Sequence, residues 1–128
     1  MVRIRITFLI LLTSLAGCAD YAERELREKF DIPFYKTVSV ENIEEAVISK
    51  IPIGMEEKDI YETLESINIG GDELSSYYKA DENREIVVRI EYDPNETGLV
   101  KKHYGIVIKL DANATLESVK VHEWLTGL

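Results

Sequence analysis

The spacing of apolar residues predicts two helices in the first half of the chain. Between residues 39 and 67, apolar side chains recur every three or four positions, which is the helical period. The first helix follows Ser39, a good N-cap residue, and ends before Pro52. The second covers residues 56–67, and Gly70 and Gly71 terminate it. The apolar positions are Val40, Ile43, Val47 and Ile51 in the first helix and Ile60, Tyr61, Leu64 and Ile67 in the second.

Beyond Asp72 the apolar residues recur at every second position instead of every 3.6 positions, and a period of two is typical of strands. The alternation predicts strands at residues 86–92, 104–110 and 116–124 and a weaker one at 74–79, with a turn at 111–114. In the strand at 86–92, Ile86, Val88, Ile90 and Tyr92 are expected to point to one side of the sheet.

The order of these elements predicts an α+β fold. Two N-terminal helices would pack on one face of a three- to four-stranded antiparallel sheet. The expected core consists of Val47, Ile51, Ile60, Leu64, Ile86, Val88, Ile90, Ile106 and Ile108.

The first eighteen residues follow a different pattern. Arg3 and Arg5 precede a mostly apolar run at residues 6–16. As a helix this run would rise about 17 Å, which is too short for a hydrocarbon core of about 30 Å. The pattern therefore predicts a removable secretory signal.

The end of this signal, Leu15, Ala16, Gly17 and Cys18, resembles the bacterial lipoprotein lipobox. The resemblance implies cleavage between Gly17 and Cys18 by signal peptidase II. It also implies a diacylglyceryl group on the Cys18 sulfur and an acyl chain, such as palmitate, on the new amino terminus. Ala19 follows the cysteine, where an aspartate would resemble an inner-membrane retention signal. We therefore expect the outer membrane, with the protein facing the periplasm.

Three segments are expected on this basis. Residues 1–17 form the signal peptide, residues 18–37 carry the lipid and a tether, and residues 38–128 form the domain. Within the tether, Ala22, Leu26 and Phe30 are spaced as on one face of a short helix. This helix is interpreted as a spacer, and a docking element is the alternative.

The charge of the chain argues against some partners. Removing residues 1–17 takes away two of the 15 basic side chains and none of the 24 acidic ones, so the formal charge changes from −9 to −11. This balance opposes binding to nucleic acid, or to anionic lipid head groups, by simple electrostatic attraction. Cys18 is the only cysteine, so no intrachain disulfide can form.

Few residues are candidates for chemistry. The only histidines, His103 and His122, do not belong to a metal-binding spacing. The acids of the second helix could bind a cation, although a solvated face is the expected interpretation. These acids are Glu56, Glu57, Glu62 and Glu65. The sequence contains no recognisable catalytic motif, so we expect no enzyme activity, no cofactor and no metal.

Two further features concern binding and turn formation. Tyr77, Tyr78 and Trp124 could line a binding face, with packing on the sheet as the alternative. The segment starting at Asp111 superficially matches a calcium loop. It has Leu116 where such a loop needs glycine and His122 where it needs glutamate, so a turn is expected.

Residues 51–60, with the sequence IPIGMEEKDI, resemble the SmpA/OmlA (BamE-like) lipoprotein domain. The likeness covers about residues 38–125 and implies a helix pair followed by an antiparallel sheet. It also implies a hairpin with an aspartate-containing turn, as at residues 110–119. The helix-pair-plus-sheet shape is also similar to the units of the beta-lactamase inhibitor protein.

The expected function is that of a lipid-anchored, non-enzymatic binding or scaffold domain of the bacterial envelope. Its partner would be another envelope protein, and its role would be accessory to outer-membrane assembly or envelope integrity. Two alternatives remain open at this point. One is a cation-binding protein or hydrolase that uses the acidic helix with a histidine, and the other is an inhibitor-like binding protein.

Overall fold

The computed structural model of the protein describes residues 21–71, 74–80, 84–93 and 101–126. These ranges contain three helices: α1 (Tyr21–Lys29), α2 (Val40–Lys50) and α3 (Glu57–Ser66). Four strands follow: β1 (Ser75–Ala80), β2 (Glu85–Ile90), β3 (Lys101–Leu110) and β4 (Leu116–Thr126). The strands form one antiparallel sheet in the order β1-β2-β3-β4. The predicted α+β class is confirmed. The expected signal at residues 1–17 and the lipidation site at Cys18 lie outside the described residues.

Local sequence signals explain where the helices begin and end. The hydroxyl of Ser39 accepts a hydrogen bond from the backbone N–H of Asn42 at 3.2 Å, which caps α2 as predicted. Beyond α3, Asn68 and Gly70 adopt positive φ values of 63° and 88°, which helical residues do not. None of the described helices is long and apolar enough to span a membrane.

The core lies between the helices and one face of the sheet, which we call the inner face. All nine residues that the sequence predicted for the core are completely buried. The inner face is formed by alternating residues of β2, β3 and β4, as their period predicts. These residues are Ile86, Val88, Ile90, Tyr104, Ile106, Ile108, Val119 and Val121.

Helix α1 belongs to this core, so the prediction of a tether is wrong from residue 21 onward. Ala22, Leu26 and Phe30 are buried in the same cluster as the sheet residues, and α1 contacts β2 and β3. The ammonium group of Lys29 donates to the carbonyl oxygens of Ile67 at 3.4 Å and Asn68 at 3.2 Å. The helical layer therefore has three helices rather than the two expected.

The connection between α2 and α3 binds the hairpin of β3 and β4. The N–H of Gly54 donates to the carbonyl of Leu116 at 2.9 Å, and the N–H of Leu116 donates to the carbonyl of Met55 at 2.8 Å. The N–H of Glu57 donates to the carbonyl of Ala114 at 3.0 Å. Part of the IPIGMEEKDI motif therefore fixes α3 against the end of the sheet.

The hairpin turn itself is organised by Asp111. Its carboxylate accepts hydrogen bonds from the N–H groups of Asn113 at 2.9 Å and Thr115 at 3.1 Å, and from the Thr115 hydroxyl at 2.6 Å. These bonds, first among them that from the Thr115 hydroxyl, lower the pKa of Asp111. The predicted turn is confirmed.

Strand β4 is one edge of the described sheet, and α2 packs beside it. The carboxylate of Glu44 on α2 accepts a hydrogen bond from the backbone N–H of Val121 at 3.0 Å. A backbone group on the edge strand is thus satisfied by a side chain instead of another strand.

Candidate binding face

The face of the sheet opposite the core, which we call the outer face, is not covered by the described helices. All three helices bury their apolar residues in the cluster on the inner face. The outer face carries a mixture of apolar, aromatic and charged side chains. They include Val87, Arg89, His103, Val107, Lys109, Lys120, His122 and Trp124. Of the two faces of the sheet, this is the one that the described helices leave open to a partner.

Pairing of β3 with β4 brings three rings together on this face. His103 is opposite Trp124 in the ladder, and Gly105 is opposite His122. The ring centroids of His103 and Trp124 are 5.4 Å apart, and those of His122 and Trp124 are 5.9 Å apart. The ring of Tyr92, just beyond β2, lies edge-on to His103 at 5.8 Å. We call Tyr92, His103, His122 and Trp124 the aromatic cluster.

The absence of a side chain at Gly105 leaves room for the Trp124 ring. A Cβ atom at Gly105 would lie 2.8 Å from two carbon atoms of the indole, closer than van der Waals contact permits. The indole therefore rests over the backbone of β3, in a space that only glycine leaves open. Trp124 remains 46% exposed, so the ring is positioned by the sheet and still accessible to a partner.

Charged side chains surround the aromatic cluster. The carboxylate of Glu91 lies 3.0 Å from Nε of Arg89 and 3.5 Å from Nδ1 of His103. The ammonium of Lys101 lies 5.2 Å from the ring centroid of Tyr92, within the range of a cation–π interaction. The aromatic cluster therefore lies next to the Arg89–Glu91 ion pair and next to the Lys101 ammonium group. An arrangement of rings and rim charges suits the binding of another molecule.

The acidic residues of α3 and the two histidines are not brought together. Glu57 pairs with Lys79 at 2.7 Å, and Glu65 accepts a hydrogen bond from the Tyr77 hydroxyl at 3.1 Å. This hydrogen bond is the main reason that the pKa of Tyr77 is raised. Lys79 and Tyr77, the β1 residues that contact these two glutamates, lie on the inner face, whereas the two histidines lie on the outer face.

The described residues also offer no metal site. Glu56 and Glu62 are exposed. Within the described ranges, no group of three or more His, Cys, Asp or Glu side chains could hold a metal ion.

The three aromatic residues that the sequence singled out are separated by the fold. Tyr77 stacks on Tyr61 of α3 at 5.7 Å, on the inner side of the sheet. Tyr78 is exposed on the outer face but belongs to β1, at the opposite edge from Trp124. Of the three, Trp124 alone is part of the aromatic cluster.

Tyr92 was expected on the same side as Ile90, and this prediction is wrong. Strand β2 ends at Ile90, so the alternation stops before Tyr92 and its ring lies against His103. Gly105 was not identified from the sequence. Its one signal is a glycine within a predicted strand, between Tyr104 and Ile106, because a glycine at such a position often marks a close approach by another group.

Comparison with known proteins gives no match. No family model, no curated protein and no solved structure matches the chain.

Proposed function

We propose that this protein is a lipid-anchored lipoprotein of the bacterial envelope whose domain binds another envelope protein without catalysis. The observation that carries the proposal is the aromatic cluster on the outer face, in which His122 and Trp124 are exposed and Trp124 lies over Gly105. Trp, Tyr and Arg are the residues that most often dominate the energy of protein interfaces. A tryptophan placed by a rigid sheet loses little conformational freedom on binding, so it can contribute much of its contact energy.

The anchor is supported by the likeness of residues 15–18 to a lipobox. One acyl chain holds a protein only marginally at a membrane, whereas two or three chains on Cys18 hold it stably. Ala19 after the cysteine supports outer-membrane sorting and a periplasmic location. The likeness of residues 51–60 to the SmpA/OmlA (BamE-like) domain supports an accessory role in outer-membrane assembly or envelope integrity. The formal charge of −11 after cleavage argues against nucleic acid as a partner.

Site-specific crosslinking tests the binding face. A photoreactive amino acid at Lys120, exposed on the outer face beside His122, should give a discrete crosslinked product in cells. The same amino acid at Glu62, exposed on α3, is the matched control and should give none. Trp124→Ala should remove the product at position 120, because it deletes the proposed main contact. Identical products at both positions, or no product at position 120, would contradict the proposed face.

Mass spectrometry tests the anchor separately. The first peptide of the mature protein should begin at Cys18 and carry the mass of acyl chains. Cys18→Ala should leave an unlipidated precursor. A wild-type peptide without added acyl mass would refute the anchor, and recovery in the inner membrane would refute the proposed sorting.

A further inference from the structure

Two aromatic side chains in the connection between α1 and α2 project into solvent. Phe34 is 89% exposed and Tyr35 is 76% exposed, the highest values among the large apolar residues that the structure describes. Their rings contact each other edge to face, with centroids 6.0 Å apart. Exposing two adjacent aromatic rings to water is unfavourable, so such a pair indicates a contact surface.

The base of this connection is fixed to α1. The guanidinium of Arg27 donates to the carbonyl of Pro33 at 2.6 Å, and the N–H of Ile32 donates to the carbonyl of Arg27 at 3.0 Å. The side chains of Ile32 and Val38 are buried on either side of the pair. The two rings are therefore presented at a defined position relative to α1.

The chain between the proposed lipid and the fold is short. Helix α1 begins at Tyr21, and Ala22 and Leu26 are completely buried in the core. The three residue steps from Cys18 to Tyr21 can span at most about 11 Å. With lipid on Cys18, the domain therefore cannot stand away from the bilayer. The C-terminal end of α1, near the aromatic pair, lies only about 12 Å further along the helix.

Charge favours the α1 side as the side that approaches the bilayer. Helix α1 contains three acidic and three basic residues, for a net charge of zero. Helix α2 contains three acidic residues and one basic residue, for a net charge of −2. Helix α3 contains four acidic residues and one basic residue, for a net charge of −3. A membrane surface that carries anionic lipids would repel the last two helices but not α1.

We propose that Phe34 and Tyr35 are a second membrane contact of this protein, made to the interfacial layer of the bilayer that holds the lipid on Cys18. This inference rests on the proposed anchor. The amphipathic ring of Tyr35 suits the headgroup level, Phe34 suits the acyl boundary beneath it, and Lys36 can extend its ammonium to phosphates. Two contacts at opposite ends of α1 orient that helix along the membrane and give the outer face a constant direction.

Depth-dependent fluorescence quenching tests this contact. Cys18 is the only cysteine, so a chain of residues 18–128 can be coupled there to a maleimide lipid in phosphatidylcholine vesicles. Trp124→Phe removes the only native tryptophan. Tyr35→Trp then reports on the proposed contact, and Ile53→Trp is the control. Ile53 is a 56% exposed apolar residue in another connection. Phe34→Trp gives a second reporter if Tyr35→Trp perturbs folding.

Acyl-brominated lipids should quench the Tyr35→Trp variant at least twofold more than the Ile53→Trp variant, and emission of the Tyr35→Trp variant should shift to the blue. Equal quenching of the two variants would overturn the contact. A third outcome is a blue shift that does not depend on brominated lipid and that disappears when fewer proteins occupy each vesicle. This outcome would mean that Phe34 and Tyr35 contact a second copy of the protein, and it would also overturn the membrane contact. The acyl mass on Cys18 from cells separates the two proposals. Its absence would overturn the anchor and the contact together, whereas equal quenching with acyl mass present would overturn the contact alone.

Discussion

Replacing Leu26 by alanine tests whether α1 is part of the folded domain or a spacer. Leu26 is completely buried, and its helix packs on β2 and β3. The substitution removes three buried carbon atoms, which at about 0.8 kcal/mol each represent about 2.4 kcal/mol of transfer free energy. The cavity left in the core adds to this loss, so the free energy of unfolding should fall by about 3 kcal/mol, within the usual range of about 2–5 kcal/mol.

This loss is large enough to measure by urea unfolding of the lipid-free chain, residues 19–128. With a denaturant dependence of about 1.5 kcal/mol per molar, a loss of about 3 kcal/mol lowers the midpoint by about 2 M. Far-UV circular dichroism follows the helices, and fluorescence of the single tryptophan follows the sheet. Coincident transitions by the two probes would show that α1 unfolds together with the sheet.

Glu28→Ala is the matched control. Glu28 is exposed on the same helix, and alanine favours helix formation, so the free energy of unfolding should change by less than about 0.5 kcal/mol. A spacer helix predicts the same midpoint for Leu26→Ala and Glu28→Ala. That result would refute the assignment of α1 to the core.

Three further predictions concern the outer face, the hairpin turn and the core. Gly105→Ala should displace the Trp124 ring, giving red-shifted emission and stronger acrylamide quenching, and Val107→Ala on the same strand should leave both unchanged. Hydrogen bonds lower the pKa of Asp111 in the folded state. The charged carboxylate therefore stabilises the fold fully above the unfolded-state pKa of about 3.9. This stabilisation is lost as the pH falls through the lower, folded-state pKa. The urea midpoint of the wild type should therefore exceed that of Asp111→Asn at pH 7, and the gap should narrow below about pH 4; a constant gap would contradict the assignment. Ile106→Ala should lower the free energy of unfolding by about 2–5 kcal/mol and Glu62→Ala, at an exposed position on α3, by less than about 0.5 kcal/mol, and equal urea midpoints would mean that Ile106 is wrongly assigned to the core.

The helices on either side of Pro52 and strands β2, β3 and β4 were predictable because their side chains are spaced by local geometry. Val47 and Ile51 share a helix face, and Ile106 and Ile108 share a sheet face, whatever the rest of the chain does. The role of α1 was not predictable in the same way. Its apolar stripe is only Ala22, Leu26 and Phe30, and charged residues occupy most of the other positions. Whether such a stripe packs on a core depends on a docking surface that lies more than fifty residues later in the chain.

The candidate binding face depended on information that local patterns do not contain. Trp124 lies over Gly105 because of the register between β3 and β4, and a register shift between Lys109 and Leu110 separates this ladder from the turn. A one-residue slip would have turned Trp124 to the other face. The position of Tyr92 likewise depends on where β2 ends, and strand ends are poorly determined by alternation alone.

The bond between Glu44 and Val121 bears on how crowded copies of the protein behave. An edge strand is a template for pairing with another copy, and the proposed lipid anchor would raise the frequency of such encounters by confining the copies to one membrane surface. Because the Glu44 carboxylate occupies an N–H on β4, a second strand could pair there only by displacing α2 and leaving a carboxylate without its donor. We expect the Glu44–Val121 contact to oppose, by steric and electrostatic effects, the pairing of β4 with a strand of another copy. It would hinder pairing at the β4 edge while leaving the outer face accessible.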